Sequence, residues 1–213
     1  MLTVATCLWD PNPSSFSFSR CYDESWVEKI YRGFARNLTV PFRFICFTER
    51  RREFMQPIGS GHLPASPSYG DFIKPFGLGA PMILVGLDTV VLRNIDHLAA
   101  WCMEDNGLLA LPRDPFHWSR ACNGVAMVQR GRQKIYLNHR GENDMEWLRL
   151  QPHVFIDDIF PGSVKSYKGH VRGMTEHFNG RPQGFDDIDL LYLHGVPKQH
   201  ELQHVPEIAR NWY

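Results

Sequence analysis

Cysteine is sparse and unpatterned in this chain of 213 residues. Its five copies, Cys7, Cys21, Cys46, Cys102 and Cys122, are odd in number and free of CxxC spacing. That argues against a disulfide framework and against a zinc module built from paired CxxC turns. Net charge is also missing: 23 basic and 23 acidic residues cancel, so no global field draws the chain to nucleic acid or to an anionic membrane. The local clusters Glu49-Arg50-Arg51-Arg52 and Arg130-Gly131-Arg132 read first as solvated loops. No apolar run approaches the roughly 20 residues that a bilayer-spanning helix needs. The opening segment Met1-Leu2-Thr3-Val4-Ala5-Thr6-Cys7 lacks basic residues and is too short for a secretory leader. A reducing, cytoplasmic location is therefore expected, and the sequon Asn37-Leu38-Thr39 is a chance match. An internal repeat is absent too, which removes solenoids and propellers.

What is present is alternation of short apolar runs with helical patterns. The length suits one α/β domain spanning residues 1–213 with a single core. Residues 3–8 read as a buried strand closed by Asp10-Pro11-Asn12-Pro13. A helix follows, with Ser25 and Glu28 as a capping box and Val27, Ile30, Tyr31 and Phe34 on one face. Further strands are predicted at 43–48, 82–87, 108–111 and 124–129. Helices are predicted at 72–77, 95–103 (opened by Asn94), 132–138 and 143–150. Residues 57–69, rich in Gly, Pro and Ser, read as a loop. This order predicts a mixed, mostly parallel sheet with helices on both faces. Ligands of such sheets sit beyond the carboxyl ends of the strands. Trp9, Asp10, Thr48, Glu49, Asp88 and His194 all fall at strand ends and could converge there.

Two segments carry chemistry. In His194-Gly195-Val196-Pro197-Lys198, after the apolar run Asp189-Leu190-Leu191-Tyr192-Leu193, a strand delivers an imidazole, a glycine backbone and an ammonium group. Those groups suit a metal-bound diphosphate: histidine ligates divalent ions, glycine backbone admits phosphate oxygens and lysine adds a point charge. Upstream, Asp88 interrupts the hydrophobic run Met82-Ile83-Leu84-Val85-Gly86-Leu87-Asp88-Thr89-Val90-Val91, and a carboxylate there is costly unless paired or metal-bound. A third pattern, His200-Glu201-Leu202-Gln203-His204, matches the zinc-protease signature HExxH. Pro197 and Pro206 bound it and little chain follows for a third ligand, so it reads as chance.

With these segments the chain resembles the small GT-A-type glycosyltransferases of bacteria and phages, relatives of the glycogenin-like group. Gly86-Leu87-Asp88-Thr89-Val90-Val91 is similar to the family's DxD strand, Asn123-Gly124-Val125-Ala126-Met127 to its Asn-bearing strand and Asn143-Asp144-Met145-Glu146-Trp147-Leu148 to its DQ helix. Pro161-Gly162-Ser163-Val164-Lys165-Ser166-Tyr167-Lys168 is similar to its proline-led strand, and residues 31–48 resemble its first helix and second strand. The resemblance implies a GT-A-like nucleotide-diphospho-sugar transferase moving a sugar, a hexose from UDP, to an unidentified hydroxyl acceptor. It implies Asp88 and His194 as ligands of Mn2+ or Mg2+, and Gly195 and Lys198 as diphosphate contacts, with Lys198 catalytic. Asp144 would act catalytically beside the sugar or acceptor.

Leu8, Trp9, Tyr22 and Thr48 occupy places where the family recognises a pyrimidine, although Trp9 reads equally as a core residue. Asn123 is either a donor-sugar contact or an Asx turn. Lys74 either braces the acidic motif or is an exposed helix lysine. Gly86 departs from the pattern, standing where the family has the first aspartate of DxD. Water, Asp10 or Asp144 would then complete a metal shell, or Lys198 and Lys74 would serve alone. The rival readings are a sugar-nucleotide or glycan binder that has lost catalysis, and a phage-type transferase acting on a hydroxymethylated DNA base.

Overall fold

Successive side chains of a strand face opposite ways, and in the central strands of this protein both faces are apolar. The computed structural model describes residues 1–213, apart from the side chain of Glu176. Its strands are β1 (Leu2–Leu8), β2 (Phe42–Thr48), β3 (Ile58–His62), β4 (Met82–Val85), β5 (Thr89–Val91), β6 (Leu109–Leu111), β7 (Val125–Val128), β8 (Val154–Phe155), β9 (Val164–Ser166) and β10 (Leu190–Tyr192). In β4, Ile83 and Val85 face one core while Met82 and Leu84 face a second. In β7, Val125 and Met127 join the first core, and Ala126 and Val128 the second.

Helices cover both cores. α1 (Glu24–Asn37) and α2 (Asp96–Met103) bury Trp26, Val27, Ile30, Phe34, Leu98 and Ala99 in the first. A 3-10 helix over Tyr69–Leu78, with α3 (Lys134–Leu137) and α4 (Asp144–Arg149), places Ile73, Phe76, Ile135 and Leu148 in the second. The seven-stranded sheet has the order β3-β2-β1-β4-β7-β6-β8. β7 runs antiparallel to both of its neighbours and every other pairing is parallel. The mixed, mostly parallel sheet expected from the sequence is therefore present.

Three features differ from the sequence reading. The cap of α1 is Asp23, whose carboxylate accepts from Ser25 N–H at 3.0 Å, so the helix begins earlier than the Ser25–Glu28 box implied. Glu28 instead accepts the Met55 N–H at 2.7 Å. Residues 57–69 are not all loop, because β3 pairs in parallel with β2 at the sheet edge, where backbone hydrogen bonds compensate for a sequence with little apolar alternation. The run from Met82 to Val91 is not one strand either. It leaves the large sheet after Val85, turns at Gly86-Leu87-Asp88 and enters a second sheet of order β5-β10-β9.

Asp23→Ala is expected to cost about 1 kcal/mol, read as a lower urea midpoint at unchanged slope.

Candidate active site

Because β7 is antiparallel, its amino end lies beside the carboxyl end of β4, with Val125 opposite Val85. The ends of β1, β4 and β7 therefore open onto one cavity of about 360 Å³, within the size range of small-molecule sites. Leu8 and Trp9 line it from β1, Gly86 and Asp88 from the turn after β4, and Asn123 from the approach to β7. Asp144 enters from the first turn of α4, and His194 from the end of β10. Asp88 is held from beneath. The Lys198 ammonium donates to its Oδ2 at 2.5 Å and to the Leu193 carbonyl at 3.1 Å, and the Tyr22 hydroxyl donates to the same carboxylate oxygen at 3.4 Å. Burial, reinforced by the Asp88 charge, raises the Tyr22 pKa, so the phenol stays a proton donor.

Asp144 also lines the cavity, 6% exposed, with Asn123 donating an amide hydrogen to its Oδ2 at 2.5 Å. Asn143 caps α4 by accepting from the N–H groups of Met145 and Glu146, which sets the first turn and aims Asp144 inward. Burial pushes the Asp144 pKa up to about 6, against the pull of backbone N–H groups and Asn123. At neutral pH it is an ionised carboxylate under strong desolvation, poised to accept a proton or a hydroxyl hydrogen bond.

The third wall is His194. Its Nδ1 lies 3.2 Å from the Ser166 hydroxyl, and its buried Nε2 has no hydrogen-bond partner. Burial, then the Lys168 charge, lowers its pKa to about 4, so the ring is neutral. Gly195 follows with φ of +63°, a conformation that glycine adopts without strain. A Cβ placed there would stand 3.1 Å from the Lys168 ammonium.

Other residues singled out in the sequence lie elsewhere. Thr48 is paired with Leu8 across β1 and β2, and its hydroxyl donates to the Arg50 carbonyl at 2.7 Å, away from the cavity lining. Lys74 reaches the Tyr136 hydroxyl at 3.2 Å and is not part of the lining. Lys198, expected from the resemblance as a diphosphate contact, is 1% exposed and not part of the lining, its ammonium held by Asp88 and the Leu193 carbonyl. Gly195, next to the lining residue His194, is partly exposed and is not itself among the lining residues. Arg52 is buried rather than a solvated loop charge, and the exposed Arg50 shares its partners. They bind Asp10 at 2.7 and 2.9 Å, Glu24 at 3.3 and 2.8 Å, and Glu49 at 3.8 and 2.8 Å. The hydrogen bond from Arg50 holds the Asp10 carboxyl down near a pKa of about 2.

In the HExxH segment, Gln199–Leu202 is one 3-10 turn, and the Glu201 carboxylate accepts the Lys198 N–H at 2.7 Å as a cap. Ser15, Phe18, Tyr69, Asp114, Phe116 and Tyr192 line the cavity without having been singled out in the sequence. Ser15, Asp114 and Phe116 come from connecting segments that have no strand or helix period, and Phe18 and Tyr69 from 3-10 helices; the turn signal Asp114-Pro115 was the one available clue.

The donor set does not suit a hard divalent cation, which takes about six oxygen ligands. Asp88 Oδ2 is already neutralised by Lys198. Gly86 supplies no oxygen, and a Cβ there would stand 2.6 Å from Asp88 Oδ1. Asp10 is committed to Arg50 and Arg52, and Asp144 to Asn123. Among the described residues no group of three or more His, Cys, Asp or Glu side chains is arranged to hold a metal.

No protein-family model matches the sequence, and no curated protein matches it. Solved structures do share the fold. An active-site mutant of LgtC superposes with a TM-score of 0.55 at 9% identity, covering 98% of this chain and 95% of LgtC. The galactosyltransferase LgtC in complex with donor and acceptor sugar analogs gives 0.52 at 8% identity, covering 99% and 96%. The glycosyltransferase GlyE of Streptococcus pneumoniae TIGR4 gives 0.58 at 12% identity over 92% of this chain, which spans 55% of GlyE. The fold is thus the GT-A-like one that the sequence resemblance implied.

Lys198→Met is expected to cost roughly 2–3 kcal/mol, because it strands a half-buried carboxylate. Adding Asp88→Asn should return part of that loss in a denaturation cycle, whereas simple additivity would show that the pair is not coupled. Asp144 gives a signed pH dependence. Its folded pKa of about 6 lies above the ordinary 3.8. Its contribution is therefore fully present below the unfolded pKa and lost as pH rises from 3.8 to about 6. Asp144→Asn should be stabilising at pH 7.5 by up to about 3 kcal/mol and close to neutral near pH 4, measured by unfolding at both pH values.

Proposed function

We propose that this protein transfers a glycosyl group from a nucleoside-diphosphate sugar to a hydroxyl acceptor, with a UDP-hexose as the donor and the whole chain acting as one catalytic domain. The observation that carries this reading is the cavity at the strand ends. There a buried carboxylate with a raised pKa, Asp144, lines one largely apolar cavity together with a second carboxylate, Asp88, and a neutral imidazole, His194. Support comes from the shared fold of LgtC, described as a galactosyltransferase in complex with donor and acceptor sugar analogs, and of GlyE, described as a glycosyltransferase.

In this reading Leu8, Trp9 and Tyr22 flank the nucleotide base; Trp9 already meets the Tyr69 ring edge-on at 5.7 Å, leaving one aromatic wall for stacking. Asn123 and Asp144 meet the sugar or acceptor hydroxyls. The bond between the sugar C1 and the β-phosphate oxygen breaks, and its electron pair leaves on the diphosphate. The acceptor oxygen bonds C1 and gives up its proton, for which Asp144, with its raised pKa, is the base of this reading. The enzymes resembled use a divalent cation to carry the leaving charge; the donor set here does not suit one.

No helix is long and apolar enough to cross a membrane. The cysteines of the structure are all free, which suits the reducing cytoplasm proposed as the location.

The test incubates the protein with UDP-glucose, UDP-galactose and UDP-N-acetylglucosamine, reading Tm and UDP release. A raised Tm together with UDP release, slowed strongly by Asp144→Asn, is expected. A raised Tm with no release under any acceptor would identify a binder, and no shift with any nucleotide sugar would remove the donor assignment.

A further inference from the structure

A diphosphate leaving group needs positive charge at its oxygens in the transition state. The Asp88–Lys198 pair cannot supply it, since an ammonium 2.5 Å from a carboxylate oxygen is already spent on that charge. Lys168 is differently placed. It follows β9, two residues after the Ser166 that meets His194 Nδ1, and its ammonium lies against Gly195, 3.1 Å from where a side chain on that residue would begin. After burial, the influence acting on Lys168 is the Lys198 ammonium, with no carboxylate opposing it. The corner around Gly195 thus gathers the Lys168 and Lys198 ammonium groups, the Asp88 carboxylate, a glycine backbone at φ +63° and an unpartnered, buried imidazole nitrogen, while Asp114, the other carboxylate acting on His194, is already paired with Arg149 at 2.8 Å. One positive charge is left over, beside backbone that no side chain shields, which is the composition of an anion cradle.

We propose that the leaving diphosphate is held here without a divalent cation: the Asp88–Lys198 pair stands in the metal's place, and Lys168 with the Gly195 backbone takes the phosphate oxygens. The inference rests on the nucleotide-sugar reading above. When the C1–O bond breaks, the electron pair settles on the β-phosphate oxygen, and Lys168 neutralises it while keeping its own proton. Lys198 serves as a positioning residue: it cancels the Asp88 charge that would otherwise repel the phosphates.

The test is calorimetric binding of UDP, with ADP, GDP, CDP and inorganic pyrophosphate alongside, in EDTA and then in manganese. Wild type should bind one nucleoside diphosphate equally well in both buffers. Lys168→Gln should weaken that diphosphate by roughly tenfold or more, the cost of losing one charged hydrogen bond. The matching nucleoside should bind as before, and Lys168→Arg should recover most of the loss. An unchanged Tm in both variants shows that the fold is intact. Binding that collapses in EDTA and returns with manganese would overturn the inference while leaving the donor assignment standing. Unchanged diphosphate binding in Lys168→Gln would overturn it as well. Failure of wild type to bind any nucleoside diphosphate in either buffer would remove the donor reading and the inference with it.

Discussion

The contact between Asp88 and Lys198, 110 residues apart in sequence, is the constraint on which the rest of the site depends. A chain that leaves one sheet and enters another exposes backbone groups at the crossing, and buried backbone polar groups must find partners. Here the segment after β10 provides them: Leu193 N–H donates to the Asp88 carbonyl at 2.8 Å, and Gln199 donates to the Leu87 carbonyl at 3.2 Å. The ammonium of Lys198 completes the set by holding the Asp88 side chain and the Leu193 carbonyl together. The crossing turn, the end of β10 and the His194 wall are therefore positioned as one unit. Breaking the pair would expose the charge and loosen the turn that presents it.

A second ionic network lies at the neighbouring strand ends and does a different job. Arg52, 1% exposed at its side chain, gathers Asp10, Glu24 and Glu49, tying the ends of β1 and β2 to the start of α1. With three carboxylates set against Arg50 and Arg52, both guanidinium charges are spent inside the cluster and neither is left for an anionic ligand. Around Asp144 the balance runs the other way. One amide and the first turn of a helix partly compensate a carboxylate that burial disfavours. A group kept at a stability cost in a cavity is the pattern of a working residue.

Much of the architecture was legible because burial on both faces writes itself into composition. The runs at β1, β4 and β7 are apolar at nearly every position, and α1 shows its face at helical spacing. Asn143 before Asp144, and Asn94 before Asp96, announced helix starts that the structure contains. Edge strand β3 was not legible, since its stability comes from pairing with β2 rather than from its own side chains. The split between β4 and β5 was hidden because both halves are equally apolar; only the partner strand differs.

Period and turn signals are local properties, and they were enough to indicate the layered α/β fold and the strand-end placement of Asp88 and His194, whereas Asn123 and Asp144 stood out only through the family resemblance. What those groups are worth was decided by packing alone. Whether Lys198 is a free charge or the buried partner of Asp88 depends on where a distant segment docks, and the same lysine reads alike in sequence either way. Lys168 gained its place only when β9 paired beside β10 and brought it against Gly195. Electrostatic roles follow distance and desolvation, and both are set by contacts between segments far apart in the chain.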